Sequence, residues 1–465
     1  MDEYDVIVVG AGPAGEHAAG RLAGGGLAVS LVERELVGGE CSYWGCIPSK
    51  TLVRPGDALA AARRVPGASQ AVTGVIDVEA AFARRDVMTS SWDDSGQLPW
   101  LEQHDIDLVR GSGRLDGDRS VVVTTGGGEA RRLRARRAVL LATGSAPALP
   151  PVEGLAEAMA WDNRDITAAK ALPGSLVVLG GGAAGLEMAQ AFHRLGTAEV
   201  TLLEGAHGLL PREEPFAGEQ VRAALEAEKV RVHVGSRVRR VTRRSPGGPV
   251  TVELDGVGAV TADELFVAAG RRPATAELGL GTVGLEPGRP VPVDEQERAI
   301  GVEGGWLYAV GDCNGKAPLT HMGKYQARVA ADVILGLEAR DLASDGAVPR
   351  VTFTDPQVAA VGLTTAQAHE RRLDVRVLTT ALGDVPGAYT LGEGVEGTAR
   401  LVVDPARDVL VGATFTGPGV QELLHAATVA IVGEVPLARL RHAVPAFPTL
   451  SEVWLHLLED REAAS

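Results

Sequence analysis

The hydrophobic pattern of the chain contains the same unit twice: an apolar run of strand length, closely spaced glycines, and then a run with helical periodicity. The first apolar run covers residues 4–9, and the second covers residues 176–179. Short apolar runs bounded by glycine favour buried strands, and the order strand, glycine turn, helix is typical of parallel α/β units. The pattern therefore predicts two such domains in the chain of 465 residues.

The glycines of the first unit have the spacing of a dinucleotide-binding turn. They are Gly10, Gly12 and Gly15, and Glu33 closes the next apolar run. Glycines at this spacing let the backbone approach a pyrophosphate at a helix N-terminus, and an acid about 20 residues further on binds a ribose. The motif alone is weak, but the strand before it, the helix after it and the acid together predict a dinucleotide site.

The second unit repeats this arrangement with Gly180, Gly182, Gly185 and the acid Glu204. A carboxylate at this place accepts a hydrogen bond from an unmodified ribose and would repel a 2′-phosphate. We therefore expect NADH as the nicotinamide cofactor. NADPH remains possible, because Arg212 lies eight residues beyond the acid and could contact a phosphate.

The composition argues against several classes of partner. The net charge is −15, whereas a nucleic-acid partner would need clustered Lys and Arg. The acidic amino terminus lacks the basic region of a signal peptide, and no uncharged apolar run reaches the roughly 18 residues that span a bilayer. We expect a cytoplasmic protein with no nucleic-acid partner and no membrane segment.

Cys41 and Cys46 form a close pair of cysteines, and the chain has only one other, Cys313. In a reducing compartment such a pair is more often catalytic or metal-binding than structural. A metal site is the weaker alternative, since no second Cys or His pair at ligand spacing accompanies it, and we predict none. Cys46 opens a predicted helix, whose dipole would favour its thiolate form.

Taken in order, these and further motifs resemble the pyridine nucleotide-disulfide oxidoreductases, the flavoprotein family that includes dihydrolipoamide dehydrogenase, glutathione reductase and mercuric reductase. The resemblance covers essentially the whole chain. Besides the two glycine motifs, it rests on the segments 38–50, 142–145, 270–273, 311–312, 353–356 and 448–452.

The resemblance implies an α/β fold with two Rossmann-like dinucleotide-binding domains, for FAD and NAD, and a C-terminal α+β dimerisation domain. The predicted boundaries are an FAD domain at 1–150, an NAD(P) domain at 151–272, a central segment at 273–348 that completes the FAD domain, and an interface domain at 349–465. It also implies a homodimer.

Site roles follow from the resemblance at matching positions. Cys46 would face the flavin, and Cys41 would be the outer thiol that attacks a substrate disulfide. Lys50 and Glu187 match an ion pair near the reactive nitrogen of the flavin, although a plain surface salt bridge is the alternative. The remaining positions implied to bind a dinucleotide are Gly39, Thr143, Gly144, Gly270 and Asp312. Cys313 is expected to be a packed small hydrophobe.

The chain departs from the family at its C-terminal motif. Members that reduce disulfides carry a histidine that shuttles protons, held by a glutamate; here the first position is Phe447 and the second is Glu452. Phenylalanine carries no proton, and a positioned acid–base group typically contributes about 10² to 10⁴ in rate. An efficient lipoamide or glutathione reductase is therefore disfavoured. His321, His442 and His456 are other candidate bases, each more often a packing or surface residue.

The sequence thus predicts a homodimeric FAD enzyme that passes electrons from NADH, or NADPH, to the Cys41–Cys46 disulfide and on to an acceptor that the sequence does not identify. The acceptor could be a small-molecule or protein disulfide, an electrophile captured by Cys41, or a quinone that takes electrons directly from the flavin. One branch, 2-oxopropyl-coenzyme M oxidoreductase/carboxylase, also carries Phe at this place, which keeps a carboxylating enzyme as an alternative. A redox-sensing flavoprotein without turnover is the non-enzymatic alternative.

Overall fold

The computed structural model describes residues 2–256 and 258–459, and these residues group into two compact units. The first unit is formed by Met1–Pro48, Asp86–Ala148 and Arg271–Asp345. The second is formed by Ser49–Arg85, Leu149–Gly270 and Gly346–Ser465. Among the described residues, no helix combines the length and the apolar character needed to cross a bilayer.

The helices and strands are numbered here in chain order. The helices are α1 (Pro13–Gly24), α2 (Gly39–Tyr43), α3 (Cys46–Arg64), α4 (Val78–Met88), α5 (Leu98–Gln103), α6 (Asn163–Ala168), α7 (Ala183–Leu195), α8 (Pro215–Ala227), α9 (Thr320–Ile334), α10 (Thr365–Glu370), α11 (Pro386–Leu391), α12 (Val420–Val432), α13 (Leu437–Leu440) and α14 (Val453–Glu459). The strands are β1 (Asp2–Val9), β2 (Val29–Glu33), β3 (Ile106–Arg110), β4 (Ser112–Leu115), β5 (Ser120–Thr124), β6 (Ala130–Leu141), β7 (Ser145–Pro147), β8 (Ser175–Leu179), β9 (Glu199–Leu203), β10 (Arg231–His233), β11 (Val238–Arg243), β12 (Val250–Leu254), β13 (Gly258–Ala262), β14 (Glu264–Val267), β15 (Arg271–Pro273), β16 (Leu307–Ala309), β17 (Arg350–Thr352), β18 (Gln357–Gly362), β19 (Arg376–Ala381), β20 (Thr398–Asp404) and β21 (Val409–Gly417).

The first unit is built on a sheet in the order β3-β2-β1-β6-β5-β4, with β16 also paired to β6. Strands β3, β2, β1, β6 and β16 are parallel, whereas β4 and β5 form an antiparallel extension. The long strand β6 serves both parts, because its first half pairs with β5 and its second half with β16. β7 and β15 form a separate two-stranded ladder.

The core of the first unit explains the continuous apolar run at its start. Val6 and Val8 belong to a cluster with residues of α1 and α9, whereas Ile7 and Val9 belong to a cluster with β5 and β6. Strand β1 is thus buried on both faces, as strands of parallel sheets usually are. The glycine turn that follows β1 is held in place by this buried strand.

The second unit contains the other Rossmann-like sheet and an antiparallel sheet. The parallel sheet has the order β10-β9-β8-β14, and strands β11, β12 and β13 form a small antiparallel sheet between β10 and β14 in the chain. The C-terminal sheet has the order β17-β18-β21-β20-β19, and residues of α12 and α14 share its apolar core. These sheets confirm the predicted fold class of two Rossmann-like domains and a C-terminal α+β domain.

The chain passes between the two units five times, after Pro48, Arg85, Ala148, Gly270 and Asp345. The first two of these breaks lie inside the predicted FAD domain. The segment Ser49–Arg85 groups with the second unit, and its apolar residues Leu52 and Phe82 share a core cluster with α7 and α8. The division into four domains stays a prediction.

Candidate active site

The first glycine motif forms an open cradle at the start of α1. The φ angle of Gly10 is +104°, and a Cβ on Gly15 would collide with the Gly10 carbonyl oxygen. A Cβ on Gly12, the N-cap of the helix, would meet no atom within 4 Å, and no side chain caps that end. Free backbone N–H groups at an open helix N-terminus are suited to a pyrophosphate, so the residues present fit the phosphates of FAD.

Glu33 braces this cradle from the end of β2. One oxygen of its buried carboxylate accepts a hydrogen bond from the Ala11 N–H at 2.7 Å, and the other accepts one from the Glu35 N–H at 2.7 Å. A carboxylate has further acceptor sites. Glu33 can therefore hold the turn and still accept hydrogen bonds from ribose hydroxyls.

The second glycine motif reproduces the same geometry before α7. The φ angle of Gly180 is +121°, and a Cβ on Gly182 would again meet no atom within 4 Å. Glu204 accepts hydrogen bonds from the Gly181 N–H at 2.5 Å and the Ala206 N–H at 2.7 Å. The two predicted dinucleotide sites thus share their backbone arrangement, and the second fits the phosphates of a nicotinamide dinucleotide.

The loop that carries the cysteines lies directly against the first cradle. Gly38 and Gly39 have φ angles of +111° and +59°, and the Gly38 N–H donates to the Ala11 carbonyl at 2.8 Å. A Cβ on Gly39 would lie 2.7 Å from the Cα of Gly12. Only glycine allows this approach, which brings the start of the redox loop onto the pyrophosphate turn. Gly39 therefore lies against the first glycine turn, and its contact with a cofactor stays a prediction.

Cys41 and Cys46 are both partly buried. Cys46 is the first residue of α3, as the sequence predicted. The Cys46 Sγ lies 3.4 Å from the Thr320 Oγ1. A hydrogen bond to Cys46, followed by burial, raises the pKa of Cys41 well above its usual range, and the Thr320 hydroxyl opposes this rise.

A clamp that the sequence did not predict holds the redox loop from outside. Ser90, Ser91 and Trp92 are consecutive non-glycine residues with left-handed φ angles of 49°, 51° and 60°. The Trp92 indole N–H donates to the Tyr43 carbonyl at 3.1 Å, and the Tyr43 hydroxyl donates to the Val37 carbonyl at 3.0 Å. The strained segment thus holds the redox loop at Tyr43. Nothing in the local sequence predicts left-handed φ angles at three adjacent residues of these types.

Asp312 lies in the 3₁₀ turn Gly311–Asn314 and belongs to a chain of polar contacts. The Ser145 hydroxyl donates to Asp312 at 2.5 Å, and the Arg271 Nε donates to the same hydroxyl oxygen at 2.7 Å. The Arg271 guanidinium is also 3.7 Å from the carboxylate of Glu40, the residue before Cys41. The sequence singled out Asp312, but it did not indicate that Ser145 and Arg271 connect this residue to Glu40.

The other positions expected to bind a dinucleotide lie in the same segments. Thr143 donates its hydroxyl hydrogen bond to the Ala274 carbonyl at 3.0 Å, and Gly144 has a φ angle of +67°. Gly270 has a φ angle of +121°. Their contact with a cofactor stays a prediction.

The structure places Lys50 and Glu187 in contact. The Lys50 Nζ lies 2.6 Å from Glu187 Oε2, and the other carboxylate oxygen accepts the Phe353 N–H at 2.9 Å. Lys50 also lies 5.0 Å from the centre of the Phe353 ring. Glu187 is 2% exposed, so this is a buried carboxylate with a cation and a backbone donor, and not a surface salt bridge.

Cys313 is fully buried, and its thiol contacts the carbonyls of Leu141 and Val310 at 3.4 and 3.3 Å. Burial raises the pKa of the Cys313 thiol to about 12. Such a thiol stays protonated near neutral pH, which agrees with the packing role expected from the sequence.

The family resemblance predicts a histidine and a glutamate in the C-terminal motif that together transfer protons. In this chain Phe447 stands in place of the histidine, and Glu452 is the glutamate. The Phe447 side chain is 75% exposed, whereas Glu452 is 9% exposed and its Oε2 has no hydrogen-bond partner among the described residues. His321 and His442 are exposed, and His456 is half-buried on α14. None of the hydrogen bonds described connects a histidine to Glu452. No group of three or more His, Cys, Asp or Glu suited to a metal ion occurs within residues 2–256 and 258–459.

The chain is similar to known proteins along its whole length. Residues 4–330 match the family model described as pyridine nucleotide-disulphide oxidoreductase, and residues 348–458 match its dimerisation domain. A dihydrolipoyl dehydrogenase from Thermus scotoductus is 33% identical over 473 residues, which cover 100% of this chain and 98% of the relative. A mercuric reductase from Staphylococcus aureus is 30% identical over 97% of this chain and 81% of the relative.

Solved structures give the same result. The Cu(II) complex of the HOCl-induced flavoprotein disulfide reductase RclA from Escherichia coli has a TM-score of 0.86 and 25% sequence identity, covering 99% of both chains. The dimerisation domain supports a homodimer. The chain therefore belongs to the pyridine nucleotide-disulphide oxidoreductase family and is a flavin-dependent enzyme that uses FAD and a nicotinamide dinucleotide.

Proposed function

We propose that this enzyme passes electrons from NADH through FAD to the Cys41–Cys46 pair and on to an acceptor that needs no proton from a histidine. The observation that carries the proposal is the pair of thiols beside Thr320 in a chain whose C-terminal motif offers an exposed Phe447 and an unpartnered Glu452 oxygen. The residues proposed for the relay are all present, whereas Phe447 stands in place of the histidine that usually carries the proton in disulfide reduction.

Each residue of the relay has a role that its surroundings support. FAD, when bound, would supply hydride acceptance from the nicotinamide and electron-pair donation to the disulfide. Cys46 would be the thiol next to it, and Cys41 the thiol that meets the acceptor. Lys50 and Glu187 would orient the nicotinamide, because their ion pair fixes a charge at a defined place. Asp312 would accept hydrogen bonds from the ribityl chain.

The choice of NADH rests on Glu204. Its carboxylate is fixed by two backbone N–H groups at 2.5 and 2.7 Å and carries a negative charge where a 2′-phosphate would lie. Arg212 is exposed and could contact a 2′-phosphate, so NADPH is the alternative to NADH. We also propose a cytoplasmic location, because three cysteines in 465 residues are too few for a secreted fold stabilised by disulfides.

The acceptor class follows from the missing base. A disulfide acceptor would need product thiols of low pKa that leave as thiolates, since no imidazole protonates them. A quinone that takes electrons from the flavin directly would not need the thiols. A carboxylating reaction on a thioether ketone, in which a protected carbanion captures CO2, is the remaining enzymatic candidate.

The experiment is an anaerobic titration of the FAD-loaded enzyme with NADH, followed by an acceptor screen with NADH and NADPH. We expect the flavin absorbance to bleach and a long-wavelength band to appear that Cys46→Ala abolishes. An unbleached flavin would contradict the relay and favour a sensing role. If quinone reduction persisted in Cys41→Ser and Cys46→Ala, the quinone would take its electrons directly from the flavin and the thiols would not be needed. If a thioether ketone were converted only in the presence of CO2, the enzyme would be a carboxylase.

Reduction of Cu(II) is a second candidate, because the structural neighbour from Escherichia coli is described as a Cu(II) complex of a disulfide reductase. Two thiols and two Cu(II) ions give one disulfide, two Cu(I) ions and two protons, so the reaction releases protons and needs no shuttle. With NADH and Cu(II), a Cu(I)-specific chelator should report turnover in the wild type and not in Cys41→Ser. Equal rates in both would exclude the thiols from this reaction.

A further inference from the structure

Glu297 is a buried acid in a strained backbone conformation. Its side chain is 0% exposed, and its φ angle of +64° lies in the left-handed region that favours glycine. Burial of a charged carboxylate and a left-handed φ angle at a residue with a Cβ both cost free energy. Such residues persist only where the surrounding structure holds them, and they are common at functional sites. The contacts of Glu297 therefore indicate its role.

The Glu297 carboxyl faces a second buried carboxyl, that of Asp341, and the two are called the carboxyl pair here. Glu297 Oε1 and Asp341 Oδ2 are both buried and have no hydrogen-bond partner in the part of the chain that the structure describes. The same two atoms lie 3.5 and 3.7 Å from the Lys316 Nζ. One cation beside two carboxylates leaves a buried negative charge uncompensated, which is costly. One proton held between the two oxygens makes the group neutral and gives both atoms a partner.

The proton of the carboxyl pair belongs to Glu297. Asp341 Oδ1 accepts the N–H groups of Ala343 and Ser344 at 3.0 and 2.9 Å. Burial raises the pKa of Asp341, but hydrogen bonds from Ser344 and Ala343 outweigh it and leave that pKa below its ordinary value. Burial raises the pKa of Glu297 to about 8, and Lys316 opposes this rise whereas Asp341 adds to it. Near neutral pH, Glu297 is therefore protonated and Asp341 is ionised.

Other charged and titratable groups near the carboxyl pair are engaged elsewhere. The Arg298 Nε donates to the Tyr308 hydroxyl at 3.3 Å, and the Asp294 carboxylate accepts the Arg298 N–H at 2.9 Å. Tyr325 faces the pair from α9, and burial raises its pKa above the ordinary value, so it stays neutral where the pair titrates. The charge of the pair is therefore balanced by Lys316 and by the shared proton.

Two buried side-chain amides connect the carboxyl pair to the turn that carries Asp312. The Asn314 Nδ2 donates to Glu297 Oε2 at 3.1 Å and to Gln326 Oε1 at 3.0 Å. Gln326 Oε1 also accepts, at 2.7 Å, the N–H of Gly311, where the 3₁₀ turn begins. Gln326 is 0% exposed and Asn314 is 5% exposed. Because water does not reach these groups freely, they depend on one another for hydrogen bonds.

We propose that the proton shared by the carboxyl pair keeps the Asp312 turn in position to bind FAD, with Asn314 and Gln326 as the positioning residues between them. Loss of the proton puts two like charges side by side, and their repulsion shifts the Glu297 carboxylate that Asn314 contacts. The acceptor that holds the Gly311 N–H is then loosened. FAD should therefore be held less tightly as the pH rises. The proposal rests on the proposed role of Asp312 toward the ribityl chain.

The rate at which the FAD-loaded enzyme releases its flavin tests the connection. Release is followed by the rise in flavin fluorescence after dilution at pH 7 and pH 9, one unit on either side of the pKa of about 8. The wild type should release FAD about threefold faster or more at the higher pH, whereas Glu297→Gln, which is neutral at both, should show no difference. Glu295→Gln changes an exposed neighbour and should behave as the wild type. Equal acceleration in the wild type and Glu297→Gln would overturn the proposal.

Two further variants interrupt the path between the carboxyl pair and the turn. Gln326→Met removes the acceptor of the Gly311 N–H and keeps a side chain of similar length. It should release FAD faster at both pH values and lose the dependence on pH, while its free energy of unfolding should still fall as the pH rises, because Glu297 still titrates. Asn314→Ser interrupts the same path and should give the same results. Wild-type dependence of FAD release on pH in both variants would exclude the two amides from the path.

The shared proton and the role of Asp312 are tested separately. An infrared difference spectrum between the two pH values should show the carbonyl band of a protonated carboxyl that is lost at the higher pH in the wild type and absent in Glu297→Gln. A band that persists in Glu297→Gln would overturn the shared proton. Asp312→Asn should release FAD about tenfold faster or more at both pH values, because a hydrogen bond to a charged group is lost. Release at the wild-type rate would refute the proposed role of Asp312, whereas the infrared result on the carboxyl pair would stand.

Discussion

Thr320 begins helix α9, and its hydroxyl oxygen lies 3.4 Å from the sulfur of Cys46. Thr320 also opposes the rise in the pKa of Cys41 that Cys46 and burial cause. The Thr320 hydroxyl thus lowers the pKa of Cys41 and lies within hydrogen-bond distance of the Cys46 sulfur. Electron delivery through thiolates depends on this support, because the thiolate and not the thiol is the nucleophile.

Replacing this hydroxyl by a methyl group should slow the chemistry of the outer thiol. In Thr320→Val the pKa of Cys41 should rise further, since the opposing hydrogen bond is lost. Hydrogen bonds to charged groups contribute about 1.5–3 kcal/mol, so alkylation of Cys41 by iodoacetamide in the NADH-reduced enzyme should slow about tenfold or more. Mass spectrometry locates the label. Thr320→Ser should restore the wild-type rate, and an equal loss in both variants would point to a packing effect.

Restoring the missing imidazole tests the explanation given for Phe447. Phe447→His should raise the rate of disulfide reduction at least tenfold, because positioned acid–base groups typically contribute about 10² to 10⁴ and Glu452 retains a buried oxygen without a partner. The rate is measured with a small aromatic disulfide and NADH. Val444→His adds an imidazole at another exposed position and should change nothing. No rise in Phe447→His would refute the proton-shuttle explanation.

The ion pair of Lys50 and Glu187 should contribute modestly to stability. Glu187 is buried, but the Lys50 side chain is 36% exposed and water screens its charge. A double-mutant cycle with Lys50→Met and Glu187→Gln should give a coupling energy of about 1 kcal/mol in urea unfolding. A coupling near zero would mean that the Phe353 N–H, and not Lys50, holds the carboxylate.

Stability should fall as the pH rises through the range in which Glu297 titrates. Glu297 is fully buried beside Lys316 and Asp341, and burial raises its pKa from 4.5 to about 8. The folded protein therefore binds a proton that the unfolded chain has lost between these two values. The stabilisation from this group is complete below pH 4.5 and declines up to about pH 8, at up to about 1.4 kcal/mol per pH unit.

Two variants isolate this effect. Glu297→Gln is neutral at every pH, so its free energy of unfolding should depend less on pH than that of the wild type between about 4.5 and 8. Glu295→Gln changes an exposed neighbour and should keep the wild-type dependence. Parallel curves for wild type and Glu297→Gln would show that Glu297 titrates normally.

Glu204 should decide between the two nicotinamide cofactors. Glu204→Gln removes the negative charge and keeps one acceptor for the Gly181 or Ala206 N–H. The ratio of kcat/KM for NADPH over NADH should rise about tenfold, since like-charge repulsion of a 2′-phosphate is lost. Steady-state kinetics with either cofactor measure the ratio, and Glu199→Gln, an exposed change on the same strand, serves as the control. An unchanged ratio would show that residues other than Glu204 set the preference between NADH and NADPH.

Much of the fold and the site could be predicted from the sequence because backbone chemistry leaves a local signal. Gly10 and Gly180 adopt left-handed φ angles that favour glycine, and their spacing from Glu33 and Glu204 reflects one helix and one strand between them. The start of α3 at Cys46 agrees with the helix that the sequence predicts there.

Other parts of the site depend on contacts between distant segments and left no such signal. Trp92 reaches Tyr43 only because three consecutive residues take a strained left-handed path. Arg271 reaches Ser145 across 126 positions of the chain, and Thr320 reaches Cys46 across 274. Side chains that meet in this way are fixed by tertiary packing, and residue spacing in one sequence does not encode it.

Helix α3 is anchored at both ends to the same body, by Lys50 to Glu187 and by Arg64 to Asp355. The two anchors are fourteen positions apart in the sequence, a distance of about 21 Å along the helix at about 1.5 Å per residue. Inserting or deleting a single residue would turn one anchor by about 100° about the helix axis and detach it. Substitutions along α3 can accumulate as the enzyme diverges, but the number of residues between the two anchors cannot change. Alignments of relatives that keep both anchors should therefore show no gap between positions 50 and 64.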